Sequence, residues 1–171
     1  MGCEIERKFL VDPRRWQPEA PGVKMVQCYL VRSEKLTLRL RLAGEQAFLT
    51  IKGPVNGISR SEFEYPIPRQ DAMDMLREFN PDNCVSKVRY YTQVGQHRWE
   101  VDVFEGKNHG LITAEIELNS EAEEFVMPDW ATMEVSSDPR YRNACLAVKP
   151  FAEWKSDGKS DDGSDGNMTA K

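Results

Sequence analysis

Apolar and polar residues alternate along most of the chain up to Leu118, and a period of two predicts β-strands. Eight segments carry it: Cys3 to Val11, Val23 to Arg32, Thr37 to Leu42, Ala47 to Gly53, Ser59 to Ile67, Cys84 to Val94, Arg98 to Phe104 and Leu111 to Leu118. Short polar or glycine-containing turns separate most of them. Two helices break the pattern. The first is predicted from Arg69 to Phe79, after Pro68, with Ala72, Met75, Leu76 and Phe79 on one face. The second starts at Asp138-Pro139, an N-cap followed by proline at the first helical position, and runs to Val148 before Pro150.

Because i and i+2 share a side of a strand, the polar positions sort into one face. Glu4, Glu6 and Lys8 align on the first strand, Arg39 and Arg41 on the third, and Thr50 and Lys52 on the fourth. Arg60, Glu62 and Glu64 follow, then Lys87 and Arg89, then Arg98, Glu100 and Asp102, then Glu115 and Glu117. Two architectures fit. One is an antiparallel sheet whose charged face meets water. The other is a closed barrel, for which about eight strands suffice, with the charged face inward. The pattern alone leans to the first; the near absence of Ser and Gln from this face, its grouping of charge by sign and a strand count sufficient for closure weigh against it.

A lumen of that kind needs occupants, since unpaired buried charge costs several kcal/mol per group. Lys8, Arg39, Arg41, Lys52, Lys87 and Arg89 suit phosphate oxygens. The carboxylates of Glu4, Glu6, Glu62, Glu64, Asp102, Glu115 and Glu117 suit a hard divalent cation such as Mg²⁺ or Mn²⁺. A linear polyphosphate with metal ions meets both halves.

Composition narrows the partners. Lys and Arg number 23 and Asp and Glu 28, a formal net charge of −5, which argues against nucleic acid or an anionic membrane as the main partner. Cys3, Cys28, Cys84 and Cys145 are irregularly spaced with no CxxC pair, so no zinc site is predicted. Cys3 and Cys28 fall on apolar registers and read as small core residues. The charged N-terminus MGCEIERKFL resembles neither a signal peptide nor a membrane span, and Glu6 stands where a myristoylation pattern wants Ser or Thr. A reducing cytoplasm is the expected compartment. Residues 155–171, KSDGKSDDGSDGNMTAK, are too polar to offset their ordering entropy and read as a disordered tail behind a domain at 1–154.

The same residues carry a family likeness. Glu4-x-Glu6-x-Lys8 within EIERKFL resembles the N-terminal ExExK signature of the CYTH, or triphosphate tunnel metalloenzyme, superfamily. Family-like elements follow in order: QCYL with Tyr29, LRLR with Arg39 and Arg41, TIKG with Lys52, SEFEYPI with Glu62 and Glu64, KVRY with Lys87 and Arg89, WEVDVF with Asp102, and AEIEL with Glu115 and Glu117. DPRYRNACLA resembles the family's C-terminal helix. The resemblance implies a mainly β (α+β) fold, a closed eight-stranded antiparallel barrel with flanking helices. It also implies hydrolysis of inorganic triphosphate with two Mg²⁺ or Mn²⁺ ions. The six basic residues above would bind phosphate and the seven carboxylates the metal. Tyr29 matches a position proposed as acid/base, with Lys8 and Lys87 as rivals.

Other readings stay open on these residues. A class IV adenylate cyclase would use the same tunnel on ATP, and a thiamine or nucleoside triphosphatase would need a site for its organic group. Trp16, Trp99 and Trp130 are available for that, although Trp99 lies on the apolar register. A non-catalytic polyphosphate binder would keep the tunnel without the chemistry. His97 and His109, beside Gly95 and Gly110, read as solvated loop residues. Arg140 and Tyr141 could close one tunnel mouth or only pack on the surface. The apolar outer strand faces exceed what two helices cover, so a homodimer is plausible.

Overall fold

Eight antiparallel strand pairings close into a ring in the computed structural model, which describes residues 3–154. The strands are β1 (Cys3–Val11), β2 (Val23–Arg32), β3 (Thr37–Ala43), β4 (Gln46–Lys52), β5 (Ser59–Ile67), β6 (Cys84–Val94), β7 (His97–Phe104) and β8 (Ile112–Glu117). Their order is β5-β4-β3-β2-β6-β7-β8-β1, and β1 returns to β5. The closing seam is short, with Cys3, Glu4 and Ile5 facing Ser61, Arg60 and Ser59. The alternation therefore describes a barrel rather than an open sheet, and the strand ends lie within about a residue of those predicted. The tight β3–β4 and β6–β7 turns place Gly44 at φ 57° and Gly95 at φ 60°, where a side chain is strained.

The apolar residues face outward and are covered by the rest of the chain. Phe9, Trp16, Trp99, Val101, Ala114, Ile116, Leu118 and Trp130 form one cluster against the outside of β1, β7 and β8. Trp99 is fully buried there, edge-on to Trp130 at 5.6 Å, so all three of these tryptophans belong to the shell. Helix α1 (Arg69–Phe79) lies over β3 and β4, burying Ala72. Ile51, Phe63 and Tyr65 on the outer face of β4 and β5 stay exposed.

Two elements depart from the pattern. A ninth strand, β9 (Ala131–Glu134), pairs antiparallel with the C-terminal half of β1, with a bulge between Phe9 and Val11. At four residues it is too short for its alternation to register, and it is fixed by Arg7 bonding Glu134 and by Asp12 N–H donating to the Trp130 carbonyl. The predicted C-terminal helix is instead broken into a 3₁₀ turn (Pro139–Tyr141), α2 (Asn143–Leu146) and α3 (Phe151–Trp154). Asp138 does cap the turn through Arg140 N–H, but Arg142 is extended at φ −71°, ψ 134° and ends it. That path sends Tyr141 and Leu146 into a second cluster with Val85, Phe104 and Leu111, which seats the segment against one end of the barrel.

Cys28 is not a free core thiol. It faces Cys84 across β2 and β6, and the two are disulfide-bonded over a separation of 56 residues. No helix among the described residues is long and apolar enough to cross a membrane. The polar segment read as a tail lies outside the described residues. Reducing the Cys28–Cys84 bond is expected to cost about 2–4 kcal/mol, the usual contribution of a disulfide. Thermal melting with and without dithiothreitol checks this, and an unchanged Tm once both thiols titrate as free would count against it.

Candidate functional site

The inward positions of the strands surround a cavity of about 1340 Å³, roomier than the roughly 300–1,000 Å³ of an ordinary small-ligand pocket. Glu4, Glu6, Lys8, Tyr29, Arg39, Arg41, Lys52, Glu62, Glu64, Lys87, Arg89, Glu115 and Glu117 all line it. Each is there because its strand alternates and its outward neighbours are apolar, so burying one set turns the other into the lumen. Asp102 is the exception among the sequence-derived site residues: it is fully buried behind the wall.

Charge inside is paired across strands. Lys8 Nζ lies 2.8 Å from Glu115 and donates to the Tyr141 carbonyl at 3.4 Å. Lys52 reaches Glu4 at 2.9 Å, and Glu4 also accepts from Arg60 at 2.8 Å. Arg39 and Arg41 share Glu64 at 3.1 and 2.6 Å, and the Thr50 hydroxyl donates to the same carboxylate at 2.7 Å. Arg89 holds Asp102 through two nitrogens, at 2.7 and 2.6 Å, Glu115 at 2.8 Å, and Glu100. These partners order long side chains before any ligand arrives.

One wall is different. Glu6 and Glu117 are cross-strand partners, Glu4 and Glu100 stand near, and Glu117 makes no ion pair among the described residues, with Lys52 acting on it only from a distance. Burial, then Glu4, Glu100 and Glu6, push the Glu117 carboxyl above its ordinary value. Burial and then Glu115 do the same to Glu6. Glu100 is raised mainly by burial, with Glu115 and Asp102 adding to it against Arg89. Glu115 goes the other way: burial opposes its charge, but Lys8, Arg89 and Lys87 hold it well below the usual range. Among the described residues no group of three His, Cys, Asp or Glu is arranged closely enough to chelate a metal as it stands. The oxygen-only donor set and the carboxylate crowding at Glu117 nevertheless fit a hard divalent cation.

Two cations also depart from ordinary values. Burial and then Arg89 pull the Lys87 ammonium down to about 8 despite Asp102. Burial pulls on Lys8 as well, but Glu115 and Glu6 outweigh it and its value is raised. Tyr29, 5 % exposed, accepts a hydrogen bond from Gln27 Nε2 at 3.0 Å, and burial pushes it up to about 12.

Arg60, Glu100 and Arg142 are charged lining residues outside the sequence-derived site set. Arg60 and Glu100 sit on the charged register, so the alternation already pointed at them. Arg142 reaches the cavity only because the C-terminal segment crosses the barrel end, and no local signal marks it. Arg140 instead pairs with Asp138 outside and stacks over Trp154 at 5.2 Å. His97 is the first residue of β7 and bonds Glu123 at 2.9 Å, so it is less solvated than a loop residue, whereas His109 is exposed.

A closed antiparallel barrel whose interior sets paired cations against a crowded carboxylate wall defines a tunnel for a polyanion together with hard cations. The chain belongs to the CYTH domain family, which it matches over residues 2–142. It is 41 % identical over 155 residues to an inorganic triphosphatase of Acetivibrio thermocellus, spanning 91 % of this chain and 99 % of that protein. It is 37 % identical over 149 residues to an inorganic triphosphatase of Nitrosomonas europaea, spanning 85 % and 97 %. The crystal structure of an inorganic triphosphatase superposes with a TM-score of 0.61 at 34 % identity, covering 86 % of this chain and 96 % of that one.

The raised carboxyl of Glu117 gives a stability prediction. A carboxyl raised in the folded state binds more protons folded than unfolded, so its contribution falls as pH rises through the raised value and is unfavourable at neutral pH. Glu117→Gln in metal-free buffer at pH 7 is therefore expected to raise Tm, by about 2–4 °C for each kcal/mol of repulsion relieved. The gain should shrink toward pH 4; calorimetry showing a lower Tm at pH 7 would remove the repulsion argument.

Proposed function

We propose that this chain is a divalent-metal-dependent inorganic triphosphatase that splits tripolyphosphate into pyrophosphate and phosphate inside the tunnel. The observation that carries the reading is the two-sided lining: preset Arg and Lys side chains opposite a buried cluster of carboxylates in which Glu117 makes no ion pair among the described residues. The two relatives named inorganic triphosphatase, aligned over nearly their whole length, support it.

Arg39, Arg41, Lys52, Lys87 and Arg89 would engage phosphate oxygens, with the arginines suited to bidentate contacts. Glu4, Glu6 and Glu117, joined by Glu100, would hold Mg²⁺ or Mn²⁺, and Glu62 and Glu64 on the adjacent strand β5 would serve a second ion only by giving up their pairs with Lys52, Arg39 and Arg41. When bound, the metal would neutralise phosphate charge and acidify a water for in-line attack. Glu115 is committed to Lys8 and Arg89 and fits the part of holding them in place. The Lys8 and Lys87 ammonium groups would stabilise charge growing on the leaving pyrophosphate. Tyr29 keeps its proton at neutral pH, which suits a hydrogen-bond donor and not a base. Lys87 is the cation here whose charge changes nearest working pH.

The direct test is phosphate and pyrophosphate release from tripolyphosphate, ATP and thiamine triphosphate with Mg²⁺, Mn²⁺ or EDTA, with cyclic AMP followed in parallel. Metal-dependent turnover strongest on tripolyphosphate is the expected result. Cyclic AMP as the main product would move the chain to the cyclases, and binding without turnover would make it a polyphosphate binder. Glu117→Gln is expected to lower kcat more than about tenfold while folding normally. Because Lys87 is charged only below about 8, kcat/KM for tripolyphosphate should fall as pH rises through that value. Lys87→Arg should move the fall to higher pH, and an identical profile in that variant would clear Lys87 of the role.

A further inference from the structure

Asp102 shares the inward register of β7 with Glu100, yet only Glu100 reaches the cavity. Asp102 is 0 % exposed, and both its oxygens are taken. Oδ1 accepts from Arg89 Nε at 2.7 Å, while Oδ2 accepts from Arg89 Nη2 at 2.6 Å and from the Lys87 ammonium. Lys87 is itself 1 % exposed, so no open side of the carboxylate faces the lumen. A divalent cation at Asp102 would have to displace both basic groups and then sit beside them in a poorly screened interior, where like charges repel strongly. The carboxylate thus spaces and aims two cations that follow each other on one strand face and would otherwise repel.

We propose that Asp102 is a positioning residue, a buried anion that sets Lys87 and Arg89 in place to receive phosphate oxygens and that takes no metal ion. Glu115, in contrast, touches the lumen directly, as do Glu62 and Glu64 on β5. Asp102 is the carboxylate through which Lys87 and Arg89 are joined, since each bonds it. Arg89 carries the arrangement onward to Glu115 and Glu100.

The inference rests on the reading of the tunnel as a triphosphate site, so wild-type crystals grown with tripolyphosphate in EDTA come first. The expected result is the anion touching Lys87 and Arg89 while both still hold Asp102. Cations that let go of Asp102 to reach the phosphates would overturn the positioning role. An empty tunnel, together with no turnover in solution, would overturn the triphosphate reading itself and the inference with it. In crystals soaked with Mn²⁺, anomalous density is expected away from Asp102; a peak about 2.1 Å from either oxygen would make it a ligand and end the proposal.

Asp102→Asn then separates positioning from mere stability. Its kcat is expected to drop about tenfold or more with no rise in KM for tripolyphosphate, since the lost charge repelled the anion while the lost alignment served the transition state. The number of Mn²⁺ equivalents bound in calorimetry should not change. A folded variant with wild-type kcat, or one that loses a Mn²⁺ equivalent, would overturn the proposal. Should the variant fail to fold, the wild-type crystals decide it.

Discussion

Everything in this protein depends on keeping charge inside a closed barrel without leaving it unpaired. A lone ion taken out of water costs several kcal/mol even after relaxation, and the interior holds more than a dozen ionisable groups within one cavity. The cost is offset by cross-strand pairing in chains: Arg60–Glu4–Lys52–Glu62 on one side, Lys8–Glu115–Arg89–Asp102–Lys87 on the other. These chains make the tunnel rigid in its basic half. They also mean that a polyanion meets side chains already ordered, which lowers the entropy lost on binding.

The pairing is incomplete at Glu117, which makes no ion pair among the described residues. Glu117, with Glu4, Glu6 and Glu100 near it, forms a group of like charges whose burial raises the carboxyls of Glu6, Glu100 and Glu117. Natural proteins keep such arrangements where a cation or a reaction uses them. The same barrel therefore combines extended ion-pair chains, which hold geometry, with one buried carboxylate, Glu117, that makes no ion pair among the described residues.

Support for this interior comes from outside it. The tryptophan-rich shell around β1, β7 and β8, the added strand β9 and the C-terminal segment all bury the apolar faces that force the charged faces inward. The Cys28–Cys84 bond ties β2 to β6 beside Gln27 and Tyr29, two residues of the lumen wall. Stability and the site are thus coupled: loosening the shell would let water reach the ion pairs and weaken their mutual orientation.

The alternation determined the strands, and with them which residues share a face, because side-chain direction in a strand follows from backbone geometry alone. Thirteen of the residues singled out for phosphate, metal or acid/base roles lie on the cavity wall for that reason. Whether the charged face met water or a lumen was not decided locally, since closure rests on the short pairing of Cys3, Glu4 and Ile5 with β5, far apart in sequence. Asp102 shows the limit most clearly. Its register matches Glu100, but the depth at which it sits, and so its choice of Lys87 and Arg89 over the lumen, depends on barrel curvature and on neighbours from the two flanking strands, β6 and β8. Arg142 and the disulfide were hidden for the same reason: each depends on segments that only the folded chain brings together.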